Sequence, residues 1–322
     1  MMVRAFSRRF VAAALALAVT SCSEPAPRPP EQPTAATDSV WITLGTQSGP
    51  IPMGHRSEPA NLLVAAGQHI LVDVGDGAAV QIGRAGFELG DVQSVFISHL
   101  HFDHTGGLYA FLGMRYQSLY SSRITVYGPP GTRALVDGVL AAMTPSMSLV
   151  RRGELDVQVE EIGDGSRITL GDIVVTAAKN SHYVASGDGH GATASLAFRF
   201  DLPDRVIAYT GDTGPSDAVE RLAHDADLLV SEVMDVDIAI ADIRARRPDV
   251  PEPAFMLIRR HFEQEHLTPE QAGRLAANAR ARRLVLTHVA GDIDAAHTEA
   301  LTTRAAAAYS GEVVLANDLD RF

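Results

Sequence analysis

HLHFDHTGG, residues 99–107, places three histidines and one aspartate within six positions and ends in two glycines. Imidazole nitrogens and carboxylate oxygens at this spacing suit borderline first-row cations, zinc above all. The apolar run before the motif, residues 95–98, predicts a short strand, and in extended backbone His99 and His101 point to the same side. Ordinary surface or core histidines are the alternative, but this density of ligand-type residues favours one turn that serves two metal ions.

Three later segments repeat the pattern of a strand that ends in a potential ligand. They are Asn180-Ser181-His182, Tyr209-Thr210-Gly211-Asp212-Thr213 and Leu286-Thr287-His288. A single histidine after a strand is usually a hydrogen-bonded structural residue, so each segment alone is a weak signal. Loops on a rigid sheet commonly carry chemistry, and the four segments together therefore predict one site.

Apolar and alternating runs predict the elements around these segments. Strands are expected near residues 40–44, 61–64, 69–74, 95–98, 124–127, 173–178, 195–200, 205–209, 228–231, 283–286 and 313–315, and helices near 107–116 and 131–143. Thr268-Pro269-Glu270-Gln271 has the cap, the proline and the glutamine of a helix start. Meandering strands, followed by strands that alternate with helices, predict an α/β fold of two stacked sheets inside outer helices, a four-layer αββα sandwich.

The N-terminal end of the chain predicts export. Residues 1–21 are interpreted as a lipoprotein signal peptide, with a basic start and an apolar core too short for a permanent transmembrane helix. Val19-Thr20-Ser21-Cys22 resembles the lipobox of bacterial lipoproteins, so Cys22, the only cysteine, would carry the lipid; a conventionally cleaved signal with a stray cysteine is the alternative. Proline-rich residues 22–38 predict an extended tether, and residues 39–322 one large domain. The protein is therefore expected in the periplasm, where lipid on Cys22 would tether it to the membrane.

The charge balance bears on possible partners. The formal net charge is -12, and removal of the three signal arginines leaves about -15. Phosphate contacts dominate the affinity for nucleic acid and require a positive field. The composition therefore argues against nucleic acid as a main partner, while the oligomeric state is not predicted.

The chain resembles the metallo-β-lactamase superfamily, and within it the ribonuclease Z-like branch that also contains periplasmic arylsulfatases. The resemblance covers nearly everything from Thr43 to Asp318: TLGTQSGPIP, HILVDVGDG, the HxHxDH string, the SH pair at His182, YTGDTG, EHLTPEQAG at His266 and LVLTHV. It implies an αββα sandwich and two zinc ions, although manganese and iron also suit such ligands. The implied ligands are His99, His101 and His182 on the first ion, Asp103, His104 and His288 on the second, and Asp212 as the bridge.

The resemblance also implies a hydrolytic mechanism. Two dications that share a water lower its pKa towards neutrality, and the bridging hydroxide attacks the ester. Asp103 would orient or deprotonate the nucleophile, and His266 would give a proton to the leaving group. Asp73 would fix a ligand histidine; the alternative is that it only caps a turn. The alternative for His266 is an exposed histidine in a loop without a catalytic role. The remaining histidines fit no ligand position and are interpreted as structural or surface residues: His55, His69, His190, His224, His261 and His297.

One departure from the tRNA-processing enzymes shapes the functional prediction. Those enzymes insert a long flexible arm between the third histidine motif and the bridging aspartate, whereas His182 and Asp212 are only 30 positions apart. The main prediction is an exported binuclear zinc hydrolase of a small anionic ester, either an aryl or alkyl sulfate ester or a phosphodiester. The alternatives are a ribonuclease Z-like phosphodiesterase or endonuclease, a lactone or β-lactam hydrolase, and a zinc-binding envelope lipoprotein without turnover.

Overall fold

Two sheets form the centre of the computed structural model, which describes residues 38–49, 51–149, 155–183 and 194–322. The strands are β1 (Val40–Gly45), β2 (Ala60–Ala65), β3 (Gln68–Val74), β4 (Ser94–Phe96), β5 (Ile124–Gly128), β6 (Val157–Glu161), β7 (Arg167–Leu170), β8 (Ile173–Lys179), β9 (Leu196–Asp201), β10 (Val206–Tyr209), β11 (Leu228–Glu232), β12 (Arg283–Thr287), β13 (Glu312–Leu315) and β14 (Asp320–Arg321). One sheet has the order β14-β1-β2-β3-β4-β5-β6 and the other the order β13-β12-β11-β10-β9-β8-β7.

Nine helices are described, and most of them cover the outer faces of the two sheets. They are α1 (Ala78–Arg84), α2 (Phe102–Thr105), α3 (Leu108–Gln117), α4 (Thr132–Leu149), α5 (Asp217–Leu222), α6 (Val236–Arg246), α7 (Glu252–Glu265), α8 (Pro269–Asn278) and α9 (Ala295–Ala306), with a 3-10 turn at Leu89–Asp91. Thr268 caps α8 and forms the predicted reciprocal pair with Gln271, which satisfies backbone donors that the first turn leaves free.

Three apolar clusters separate the layers. Trp41, Phe96 and Phe198 are fully buried and belong to the cluster between the sheets. A second cluster joins the first sheet to α1, α3 and α4, and a third joins the second sheet to α5, α8 and α9. Each sheet is thus apolar on both faces, as an inner layer must be. The four-layer αββα prediction is confirmed.

Some elements depart from the sequence prediction. The strand before the metal-ligand motif is only three residues long, and α4 continues through Pro145 to Leu149. Strand β6 is unforeseen because it lies at a sheet edge and is half exposed, so Val157 and Val159 are too few to distinguish it from a loop. Helices α6, α7 and α9 are also unforeseen.

The predicted signal peptide, and the predicted tether apart from Asp38, lie outside the described residues, as does Cys22. Among the residues that are described, no helix combines the length and the hydropathy needed to cross a bilayer.

Gly273→Ala is expected to lower the free energy of unfolding by about 1–3 kcal/mol because it overpacks the α8–α9 contact. A Cβ on Gly273 would lie 2.0 Å from the carbonyl oxygen of Ala305, a backbone atom that cannot rotate away. Gly138→Ala in α4 is the matched control, since a Cβ there meets nothing within 4 Å and alanine favours a helix by up to about 1 kcal/mol. Urea unfolding measures both; equal effects of the two substitutions would contradict the packing argument.

Candidate metal centre and cleft

The structure brings the seven residues predicted as metal ligands to one end of the two sheets. The HxHxDH residues follow β4, His182 follows β8, Asp212 follows β10 and His288 follows β12. His101 and Asp103 are half-buried and the other five are buried. Both sheets therefore supply side chains to a single cluster, in which Asp212 belongs to two groups of potential ligands.

The first group consists of His99, His101 and His182 with Asp212. His99 Nε2 and His182 Nε2 lie 3.1 and 3.2 Å from His101 Nδ1. Four-coordinate zinc with Zn–N bonds of about 2.0–2.1 Å separates its ligand nitrogens by about 3.3 Å. Asp212 Oδ2 lies 3.7 Å from His99 Nε2 and 4.0 Å from His182 Nε2. The spacing of these donors fits one tetrahedral cation.

The second group consists of Asp103, His104 and His288 with the same Asp212. His104 Nε2 is 3.3 Å from Asp212 Oδ1, and His288 Nε2 is 3.2 Å from Asp212 Oδ2. Asp103 Oδ2 is 3.5 Å from His288 Nε2. Within the described residues, His104 Nε2, His288 Nε2 and Asp212 Oδ1 are buried without a hydrogen-bond partner. Such orphaned atoms are rare in native proteins, and a divalent cation would satisfy all three.

Hydrogen bonds behind the histidines orient their rings. Asp73 Oδ2 lies 2.9 Å from His104 Nδ1, and the carbonyl oxygen of Glu265 lies 2.9 Å from His182 Nδ1. A partner that accepts the Nδ1 proton leaves the Nε2 lone pair free for a metal. Both Nε2 atoms point into the cluster, so these contacts prepare the rings for coordination.

The ionisation of the cluster is consistent with this arrangement. Burial lowers the pKa values of His99 and His182 well below the usual histidine value, so both rings are neutral, as a ligand must be. For His104 and His288, burial is outweighed by the carboxylate of Asp212, and their pKa values rise. The carboxylates therefore favour positive charge on the second group. A bound cation would supply that charge in place of the protons on His104 and His288.

Asp73 has a larger set of contacts than a turn-capping role requires. It is buried at φ 60° and accepts hydrogen bonds from the backbone N–H of Ser98 at 2.7 Å and from the hydroxyl of Tyr209 at 2.8 Å. Together with His104, these partners fasten the metal-ligand turn to both sheets.

Asp73→Asn is expected to weaken metal affinity about 10–100-fold, the usual effect of losing a carboxylate behind a ligand histidine. Asparagine keeps the size and tolerates the positive φ, but one terminal atom becomes a donor that cannot accept from His104 or Tyr209. Competition with a chromophoric chelator measures the affinity. Asp172→Asn, in an exposed turn, is the control, and an affinity unchanged within twofold in Asp73→Asn would refute this role.

His266 is buried beside the second group and is not an exposed loop residue. Its Nδ1 lies 2.8 Å from Glu232 Oε2, and its ring stacks on that of His288 at a centroid distance of 5.7 Å. Burial opposes the charged form of His266, but the facing carboxylate outweighs it and raises the pKa to about 9. Thr213 N–H donates to Glu232 Oε1 at 2.7 Å and fixes this carboxylate. The pair can hold a proton beside the metal centre.

Two residues at the site were missed by sequence reasoning. Glu232 ends the apolar strand β11 and is buried; an acid at the end of such a strand was the available signal. His261, interpreted as structural or surface, lies on the wall of the cleft, with Nδ1 3.0 Å from Glu265 Oε2. Its i,i+4 pairing with Glu265 was readable only once α7 was known to be a helix.

A cleft of about 700 Å³ opens over the cluster. Asp103, Asp212, His266 and His288 line its base. Aliphatic residues of α6, of α7 and of the segment between them form much of its wall: Ile243, Val250 and Ile258. The candidate metal-binding cluster is thus reached from solvent through a partly apolar cavity.

This combination of a four-layer sandwich and a cleft built from histidines and aspartates defines the metallo-β-lactamase-type metal-dependent hydrolases. A family model described as "Beta-lactamase superfamily domain" matches residues 68–289, more than half of the chain, and the chain belongs to that family. Ribonuclease Z of Mycobacterium avium (strain 104) is 29% identical, with 88% of this chain and 97% of that protein covered. Ribonuclease Z of Mycobacterium marinum is 28% identical, with coverage of 88% and 98%.

Solved structures show the same fold. The metallo-beta-lactamase fold protein YhfI from Bacillus subtilis has a TM-score of 0.64 at 20% identity, covering 88% of this chain and 98% of that chain. Human tRNase Z, short form, has a TM-score of 0.62 at 24% identity, with coverage of 88% and 98%.

These relatives shift the weight among the functional predictions. The two mycobacterial relatives named Ribonuclease Z favour the phosphodiesterase alternative and give no support to sulfate esters. They also count against the expectation that nucleic acid is not a partner. The alignment with the Mycobacterium avium protein spans 296 positions and covers 88% of this chain and 97% of that protein, so the relative has no long insertion that this chain lacks. The short interval between His182 and Asp212 therefore does not set this chain apart from a protein named Ribonuclease Z.

Proposed function

We propose that this protein is a metal-dependent phosphodiesterase with two divalent cations, zinc being the expected metal. The observation that carries the proposal is the position of Asp212 between two groups of ligands, beside the His266–Glu232 pair. His99, His101 and His182 would hold one cation, and Asp103, His104 and His288 the other. The ribonuclease names of the relatives support a phosphodiester as the bond that is cleaved.

The residues of the cleft have distinct roles in this proposal. When bound, the cations supply a nucleophile at neutral pH and offset the charge that develops on the phosphoryl oxygens. Asp103, held by the N–H of Gly49 at 2.9 Å from its Oδ2, orients the attacking water and takes its proton. The water oxygen forms the new P–O bond while the P–O bond to the leaving group breaks. His266 gives its proton to the leaving oxygen.

The test uses the full chain, purified and analysed for bound metal. Its substrates are bis(p-nitrophenyl) phosphate, p-nitrophenyl sulfate, a lactone, a β-lactam and an RNA with a 3′ extension. Turnover of the phosphodiesters with two metal ions per chain is expected, and loss of turnover on chelation followed by recovery on addition of zinc supports the proposal. Preferred turnover of the sulfate, the lactone or the lactam, or bound metal without any turnover, would refute it.

We also propose, from the sequence alone, that the chain is exported and anchored in the membrane through lipid on Cys22. Cys22→Ser is expected to abolish incorporation of labelled palmitate and to release the protein from the membrane fraction of the source cell. Ser21→Ala is the neighbouring control. Labelling that persists in Cys22→Ser would exclude this anchor.

A further inference from the structure

Phe102 lines the cleft and is almost fully exposed to solvent. The residue is 92% exposed, although its chain neighbours His101 and Asp103 are both candidate metal ligands. Phe102 begins α2, and the helix turns His104 and Thr105 inwards while the phenyl ring remains outside. A large apolar side chain that lines a cleft beside the reacting centre is positioned to touch whatever enters.

Aliphatic residues supply a second apolar surface in the same cleft. Helices α6 and α7 pack on each other around a small apolar cluster that includes Ile240 and Phe262 and also takes in Met234 and Ala290 from the ends of β11 and β12. Ile243, Val250 and Ile258 line the cleft from this pair of helices and their connection. This cluster is separate from the three apolar clusters that lie between the four layers of the sandwich.

The charges in the cleft favour a substrate with a single anionic group. Apart from the histidines and the candidate ligands, the charged residues among its described lining are Glu58, Asp76 and Arg247. Arg247 is already engaged by Asp249 through two hydrogen bonds of 2.9 and 2.8 Å. Apart from the histidines, Arg247 is therefore the single cationic side chain of the described lining, and its charge is already paired, so apolar side chains are the more numerous contacts for a substituent on the phosphate.

We propose that this cleft recognises a flat aromatic group attached to the scissile phosphate, seated on Phe102 and against Ile243, Val250 and Ile258. The inference rests on the proposed function for the phosphate and specifies its substituent. An aryl ester and the nucleobase of an RNA end share this chemistry, since both present a planar ring that stacks on aromatic side chains. The cleft volume of about 700 Å³ is in the range for ligands of this size.

Binding of phosphonates to the zinc-loaded full chain tests the proposal without turnover. Isothermal titration calorimetry compares phenylphosphonate, cyclohexylphosphonate and methylphosphonate, with uridine 5′-monophosphate as the nucleotide. Phenylphosphonate is expected to bind about 10-fold more tightly than methylphosphonate, as stacking of one ring implies, and more tightly than the cyclohexyl compound.

Variants then assign the contact. Phe102→Leu and Ile258→Asn should each reduce the phenyl-to-methyl affinity ratio at least threefold. Leu257→Asn, on the exposed side of the same helix, should leave the ratio unchanged. Both positions of the first pair are at the cleft surface, and thermal unfolding of each variant verifies that it folds.

The outcomes distinguish a nucleobase from an aryl ester as the aromatic group, and they distinguish failure of the aromatic subsite from failure of the phosphodiesterase proposal. Tighter uridine monophosphate than phenylphosphonate identifies a nucleobase, and the reverse identifies an aryl ester; either supports the aromatic subsite. Equal affinity for phenyl and methyl compounds, or a ratio insensitive to Phe102 and Ile258, overturns it. If no diester is hydrolysed but the ratio depends on Phe102, the phosphodiesterase proposal fails and the aromatic subsite stands.

Discussion

Asp212→Ala is expected to lower kcat/KM for a phosphodiester by about 10³-fold or more and to reduce bound metal from two ions per chain to one or none. Asp212 is the residue shared by both ligand groups: its Oδ2 lies 3.7 Å from His99 Nε2 in the first group, and its Oδ1 lies 3.3 Å from His104 Nε2 in the second. Metal ions contribute several kcal/mol to stabilising the charge of such a transition state. A loss of about 4 kcal/mol corresponds to a factor of about 10³.

The measurement pairs steady-state kinetics with elemental analysis of the same sample. Asp172→Ala removes an exposed aspartate from a turn that supplies none of the candidate ligands and should change neither quantity. Asp212→Ala that retains two ions per chain and kcat/KM within tenfold of the unsubstituted chain would show that this carboxylate does not bridge the ions.

His266→Ala is expected to reduce kcat by about 10²–10⁴-fold when the leaving group is a poor one, because it removes a general acid. The effect should depend on the leaving group. Phenol released from diphenyl phosphate needs protonation more than p-nitrophenol released from bis(p-nitrophenyl) phosphate, so the second substrate should lose much less. Bound metal should remain at two ions per chain.

His297→Ala is the matched control, since His297 lies half exposed in the first turn of α9, where its backbone N–H donates to Asp294 Oδ1 at 2.8 Å. Equal losses for both leaving groups would mean that His266 acts on binding or folding rather than on the leaving oxygen. A fall in metal content would assign it to the ligand set, through its contact with His288.

The sequence predicted the local elements where their signal was strong. The paired strands around Gly67 and around Pro203-Asp204 form as expected, because period-two alternation and turn residues act over a few positions. The helix start at Thr268 is equally local. Weak or unpredicted elements, such as β6 and α6, are those in which exposed residues dilute the apolar pattern.

The sequence also predicted which residues are candidate metal ligands, but it did not predict two of the groups that hydrogen-bond to the histidines of the site. Each metal-ligand segment carries its own mark, a strand that runs into a histidine or an aspartate. Glu232 reaches His266 across 34 positions, and the carbonyl of Glu265 reaches His182 across 83. Neither contact has a signal in the local sequence.

The sequence by itself therefore determined which side chains can bind metal and the layered class of the fold, because both follow from residue type and short-range periodicity. Only the tertiary structure decided which carboxylates face which imidazoles, that His266 is buried, and that α6 and α7 wall a cleft in which Phe102 is exposed. These features depend on packing between segments far apart in the chain, and burial together with neighbouring charge, which packing alone sets, determines what each group can do.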